Sequence, residues 1–277
     1  MRILFVGDIV GRPGRDILAA ALPRLTRRHG IDFVIANAEN SAGGFGVTRE
    51  TGDAILKSGV HVMTSGNHIW DKKEVFPYIA DEPRLLRPLN YPAGAPGEGA
   101  AVFTTPNGER VAVINAMGRV HMPLVDDPFA AIDRALVRLR DEASIVIVDF
   151  HAEVTSEKIS LAWHLDGRAT LVVGTHTHVQ TADNRVLPRG TAYLTDAGMT
   201  GPHDGVIGVE KDAVIGKFLN ALPARFETAS GDPRMNGVIV TADPATGLAT
   251  AIERLSLSAA DIDRLAAGVA VTADTRA

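Results

Sequence analysis

Short apolar runs punctuate the chain, and several stop abruptly at a polar residue. RILFVG (2–7), IDFVIAN (31–37), VHVMTSG (60–66), VAVINAM (111–117), IVIVD (145–149) and TLVVG (170–174) read as buried strands. Between them the spacing turns helical. Leu18, Leu22 and Leu25 place a helix over 14–29, and Thr48 opens another over 48–58 with Thr51 and Asp53 in its first turns. Further helices are expected over 72–80 and over 128–142, the latter with proline near its start. Strands follow at 191–195, 236–242 and 248–256, the last two as a hairpin. RPLNYPAGAPGEGA (87–100) reads as a loop and not as an interdomain linker. Early strands alternate with helices and later strands pair with each other. That predicts an α/β sandwich of mixed sheets. From Ser258 one amphipathic helix carrying Ile262 and Leu265 is expected, fraying at VTADTRA.

Composition narrows the class. A chain of 277 residues without an internal repeat is read as a single domain, 1–277, with the C-terminal helix and tail at about 258–277. Net charge −5 and a pI near 6.0 argue against a broad nucleic-acid surface. The absence of cysteine fits a cytoplasmic chain and excludes thiolate ligands, so any metal must take N and O donors. The apolar run in MRILFVGDIVGRPGR is too short for a signal-peptide core, and no segment approaches the length of a membrane span.

Chemistry gathers where the strands stop. The ends carry Asp8, then Glu39-Asn40, then Asn67-His68, then His151, then His176-Thr177-His178. In open α/β sheets ligands bind beyond the carboxyl ends of strands, so separate segments can converge on one place. His176 and His178 are two apart, and in extended backbone both would face one small volume. With Asp8, Glu39, Asn67 and His151 the donors are many for one metal and suit two that share a carboxylate. The N/O set suits Fe, Mn or Zn. By contrast, His29, His61, His121 and His164 read as structural: a helix end, a strand interior, a strand end and a helix beside Trp163. Gly43, Gly44 and Gly46 form a loop whose N–H groups could face phosphate. Arg12, Glu153, Thr155, Asp196 and His203 are expected to line a pocket, His203 in the flexible-looking GMTGPHDG. GDIVGRPGR is not a G-x-G-x-x-G fingerprint.

GD at 7–8, EN at 39–40, GNH at 66–68, His151 and GTHTH at 174–178, in that order, resemble the calcineurin-like metallophosphoesterases. ENSAGGFGVT, SGNHIWD, DFHAEVTSEK, GTHTHVQTAD and TDAGMTGP resemble, more narrowly, the YmdB-like bacterial phosphodiesterases. The resemblance implies a four-layer αββα sandwich with two mixed β-sheets and a centre of two divalent metal ions. It implies hydrolysis of 2′,3′-cyclic nucleotides to nucleoside monophosphates by attack of a metal-bridging hydroxide. Two positions depart from the superfamily: Val10 stands where a histidine is usual, and Glu39 where an aspartate bridges. The narrower branch shares both. On the resemblance, metal one takes Asp8, Glu39, Asn40 and His178, and metal two takes Glu39, Asn67, His151 and His176. The alternative role for Asn40 is a hydrogen bond to the substrate phosphate. His68 follows Asn67 and would protonate the leaving oxygen, with Asp71 orienting it. Asn40, Gly44, Thr155 and His203 are the expected substrate contacts. The partner is a small phosphodiester, with no membrane, and the resemblance implies a homo-oligomer. The rival reading is a metal-binding regulatory protein with slow or vestigial phosphoesterase activity; a two-metal amide hydrolase fits the Asn ligand less well.

Overall fold

The structure is a computed structural model, and it describes residues 1–267. The expected fraying of VTADTRA lies outside the described residues. The first part of the chain runs β1 (Arg2–Val6), β2 (Asp8–Ile9), α1 (Gly11–His29), β3 (Phe33–Asn37), α2 (Arg49–Lys57), β4 (Val62–Thr64) and α3 (Val75–Asp81). It continues with β5 (Ala100–Thr104), β6 (Arg110–Met117), α4 (Pro128–Glu142), β7 (Ile145–His151), α5 (Thr155–Leu165) and β8 (Leu171–Thr175). Then come β9 (Arg185–Val186), β10 (Ala192–Leu194), β11 (Met199–Pro202), α6 (Lys211–Asn220), β12 (Pro233–Ala242), β13 (Ala249–Ser258) and α7 (Ala259–Ala266). Among the described residues no helix is long and apolar enough to cross a membrane.

Two mixed sheets form the centre. One has seven strands in the order β2-β11-β12-β1-β3-β4, with β13 paired to β12. The other has six, β5-β6-β7-β8-β10-β9. Strand alternation gives each sheet two apolar faces. Ile3, Phe5, Phe33 and Ile35 of the first sheet meet Val113, Ile147 and Val173 of the second between the layers. Leu4, Val6 and Val34 turn outward under Leu18, Leu22 and Leu25 of α1. Val146 and Val148 turn outward under Ile132, Leu136 and Leu161 of α4 and α5. This is the expected αββα sandwich. Burial on both faces is why these strands read as continuous apolar runs.

Local signals worked where they had a mechanism. Thr48 caps α2 in a reciprocal box with Thr51, Pro128 opens α4, and Ser258 caps α7 through Asp261. Other segments gave no signal. The stretch expected to be flexible around 198–205 contains β11, whose four residues are all buried. Met199 pairs with Asp8 in parallel register, so this strand fixes the first acidic residue in place. His61 is not inside a strand; it precedes β4, its Nδ1 accepts the Val34 N–H at 3.0 Å, and its ring stacks on Phe33.

Candidate metal centre and active-site cleft

The strands that carry site residues point their carboxyl ends the same way. β1, β3 and β4 are mutually parallel in one sheet, and β7 and β8 in the other. The first sheet delivers Asp8, Glu39, Asn40 and Asn67 just beyond its strands. The second delivers His151 as the last residue of β7, and His176 and His178 just past β8. The site therefore spans the end of the sandwich, with donors from both sheets.

Two groupings result. His151 Nε2 lies 3.0 Å from Glu39 Oε1, 2.9 Å from Asn67 Oδ1 and 3.1 Å from His176 Nδ1. One ring nitrogen cannot satisfy three such neighbours through a single proton. Among the described residues, Glu39, His151 and His176 also offer ligand atoms within 4.8 Å of one another. The second grouping surrounds His178 Nε2, with Asn40 Nδ2 at 3.1 Å and Asp8 Oδ1 at 4.0 Å. Asn40 Nδ2 is also 3.4 Å from Glu39 Oε1, so Glu39 lies between the groupings. The structure thus brings all seven expected ligands together.

His176 and His178 do not converge for the expected reason. β8 ends at Thr175, and both histidines have positive φ, 99° and 65°. Left-handed backbone is costly for residues with a Cβ and persists only where neighbours over-determine it. Here the neighbours are specific. The His176 N–H donates to Asp8 Oδ2, and His178 Nδ1 donates to the Ile207 carbonyl at 2.8 Å. Between them Thr177 turns away, its N–H and hydroxyl donating to Asp196 Oδ2. Asp196 is not a pocket wall. It is buried and ion-paired with Lys158 at 2.7 Å.

The electrostatics are those of carboxylates and imidazoles pressed together in the dry. Burial pushes the Asp8 carboxyl well above its usual range; His151 partly offsets this, and Asp196, Glu39 and Asp149 reinforce it. Burial also pushes Glu39 up, but His151 and His68 overcome it and hold that carboxyl at about 2. Burial would lower His151, yet Glu39, Asp8 and Asp149 raise it to about 9. Burial and then His151 drive His176 down to about 3. His178 is lowered by burial. Metal ligation requires neutral imidazoles and ionised carboxylates; Glu39, His176 and His178 are shifted toward those states, and Asp8 and His151 away from them.

A divalent metal fits these residues on an independent observation. Asp8 Oδ1 and Asn40 Oδ1 are buried oxygens without a hydrogen-bond partner. Such atoms are rare and call for a ligand. Asp8 Oδ1 lies in the grouping around His178, and Asn40 Oδ1 is the other end of the amide whose Nδ2 faces that histidine; both are hard donors suited to a divalent cation.

The cleft over these groups holds about 120 Å³ and is lined by Glu39, Asn40, Gly44, Phe45, His68, His176, His178 and Thr228 among others. His68 Nδ1 lies 2.8 Å from Asp71 Oδ2, as expected, and Phe45 packs on the imidazole at 5.0 Å. Gly44 lines the cleft, but its N–H donates to the Asn40 carbonyl and is not available to phosphate. Thr155 opens α5 as an exposed residue and lines neither this cleft nor the cavity beside it. Arg12 is exposed and paired with Asp16. His203 lines the neighbouring cavity instead. Glu153 reaches His176 Nε2 at 3.1 Å. Phe45 and Thr228 went unread in the sequence, because neither residue type carries a chemical signal by itself.

Gly66 shows how tightly the centre is packed. A Cβ there would overlap the His151 imidazole. Gly66→Ala must therefore displace the ring. It is expected to weaken metal retention about 10-fold to 100-fold, the usual cost of misplacing a ligand's support. Metal titration of the variant checks this; unchanged affinity would show that His151 does not hold metal.

Comparison with known proteins places the chain. The family described as YmdB-like protein matches residues 4–255. The chain is 48% identical over 258 residues to a 2′,3′-cyclic-nucleotide 2′-phosphodiesterase of Bacillus subtilis (strain 168), covering 93% of this chain and 97% of that protein. A crystal structure of a hypothetical protein from Thermus thermophilus superposes with a TM-score of 0.87 at 41% identity, covering 93% and 99% of the two chains. A crystal structure of a novel phosphatase from Mycoplasma pneumoniae gives 0.87 at 33% identity, covering 93% of each.

Proposed function

The chain belongs to the YmdB-like family, and from that premise we propose that it hydrolyses 2′,3′-cyclic nucleotides with two metal ions. It is a phosphoric ester hydrolase, and a small phosphodiester is its class of substrate. The observation that carries the two-metal reading is the pair of unpartnered buried oxygens, Asp8 Oδ1 and Asn40 Oδ1, beside the crowded His151 Nε2. Asp8, Glu39, Asn40 and His178 would hold one cation, and Glu39, Asn67, His151 and His176 the other. Iron or manganese suits this N/O set best, and zinc also fits. When bound, such a pair supplies Lewis acidity, acidifying water and neutralising charge on phosphoryl oxygens.

The chain's own residues do the rest. Glu39 is fixed on two sides, since its Oε2 accepts the His68 N–H at 3.0 Å while Oε1 faces His151. That couples the candidate proton donor to the metal grouping through one carboxylate. Asp71 accepts from His68 Nδ1, which leaves Nε2 as the nitrogen able to give a proton to the leaving oxygen. In a 2′,3′-cyclic phosphate that oxygen stays tethered to the ribose. Phe45 against the ring limits its rotation. The single-domain arrangement from residue 1 onward, with α7 closing over α1, is part of the same proposal.

The test is hydrolysis of 2′,3′-cyclic AMP by Mn-loaded protein, with metal content measured alongside. Two metals and turnover are expected. Bound metal without turnover would instead support the regulatory reading. His68→Ala is expected to lower kcat about 10²-fold while both metals stay. Loss of metal in that variant would make His68 structural.

A further inference from the structure

A second cavity of about 440 Å³ adjoins the metal cleft. His178 and Ile207 line both spaces, so the wall between them is one hydrogen-bonded pair. The far side is the β12–β13 hairpin. Along β12, Val240 and Val238 face the other sheet and belong to the inter-sheet core. Alternation puts Asn236 on that same face, and the register sets Arg254 opposite Val238 and Ser256 opposite Asn236. Polar residues thus continue a core-facing row at the point where the sheets part.

The lining chemistry is one-sided. Arg234 and Arg254 stand in the wall with His203, Asn236 and Ser256, and no carboxylate is among the lining residues. That composition is notable in a chain of net charge −5. Both guanidiniums are fixed in place: Arg234 by Asp232 at 2.8 Å, Arg254 by the Thr181 carbonyl at 3.2 Å. Asn236 is only 4% exposed, and its Oδ1 has no hydrogen-bond partner. Its Nδ2 is already committed to His203 Nε2, whose ring donates from Nδ1 to the Gly201 carbonyl. The cavity wall therefore holds two fixed guanidiniums, that of Arg234 shared with Asp232, beside an asparagine whose buried Oδ1 lacks a partner. A nucleotide unit matches this wall, with phosphate for the arginines and sugar hydroxyls for the polar side chains beside them. The volume lies within the range of small-molecule sites.

We propose that this cavity binds the nucleotide next to the scissile phosphate, so that oligoribonucleotides ending in a 2′,3′-cyclic phosphate are preferred over cyclic mononucleotides. The inference rests on the phosphodiesterase reading above. The measurement is kcat/KM for 2′,3′-cyclic AMP and for the adenosine dinucleotide ending in a 2′,3′-cyclic phosphate. Wild type, Arg234→Gln and Arg254→Gln are compared, all Mn-loaded. The wild type is expected to favour the dinucleotide about tenfold, the value of one good charge-assisted hydrogen bond, and each variant to bring the ratio near one. A ratio near one in the wild type, or an unchanged ratio in both variants, overturns the inference and leaves the hydrolase reading standing. If the wild type hydrolyses neither compound, that reading fails and binding decides instead. Titration with the 5′-phosphorylated dinucleotide and separately with inorganic phosphate then applies. Weaker dinucleotide binding by the variants supports the site. Equal dinucleotide binding, or inorganic phosphate binding as tightly as the dinucleotide, overturns it.

Discussion

Glu39→Gln is expected to cut turnover of 2′,3′-cyclic AMP about 10³-fold and to release at least one metal. The substitution keeps size and shape, so the His68 N–H retains an oxygen to bond. What it removes is the charge between the two groupings. Glu39 is the carboxylate that His151 faces at 3.0 Å and that Asn40 approaches at 3.4 Å. Losing several kcal/mol of charge stabilisation at a phosphoryl centre corresponds to about three decades in rate. His151 also loses the leading cause of its raised pKa, so it becomes neutral more readily. The variant should therefore stay folded while failing to hold metal. Metal analysis, kcat/KM and a melting curve on one preparation separate the effects. A variant that keeps both metals and its turnover would refute the shared-carboxylate arrangement.

Much of this site could be read from the chain because each part announces itself locally. Asp8, Glu39, Asn67 and His151 each follow an apolar run that ends at the same edge of the sandwich. A buried strand that stops at a polar residue needs only periodicity to be seen. The histidine pair was legible as to place but not as to cause. Strand alternation predicts one face for His176 and His178, whereas a left-handed turn positions them, held by Asp8 and Ile207 from distant segments. Short strands were opaque for the same reason. MTGP has glycine, proline and no alternation, and becomes β11 only because Asp8-Ile9 and the start of β12 lie beside it. Gly44 looked like a phosphate cradle, but its N–H is spent on Asn40, a bond that sequence cannot display.

Lys158 is the residue the chain hid best, and removing it should cost the most stability. On a helix with exposed neighbours a lysine reads as solvated, yet this one has 1% side-chain exposure, as does its partner Asp196. It passes over Gly174, where a Cβ would lie 2.8 Å from Lys158 Cδ and would overlap the Thr195 carbonyl oxygen. Asp196 meanwhile takes the Thr177 N–H and hydroxyl and the Gly198 N–H, so the pair anchors the turn that carries both histidines. Lys158→Met leaves a buried carboxylate without its counter-charge. Breaking a buried pair in that way costs about 3–5 kcal/mol, and Tm should fall on the order of 10 °C. Lys158→Met/Asp196→Asn removes the stranded charge and should recover part of that loss. A single variant that melts within about 2 °C of wild type would place the pair with surface ion pairs of little value. If instead stability falls and the double variant recovers it without recovering turnover, the turn itself is what the ion pair maintains. His176 and His178 would then be held at positive φ by a charge that never touches substrate.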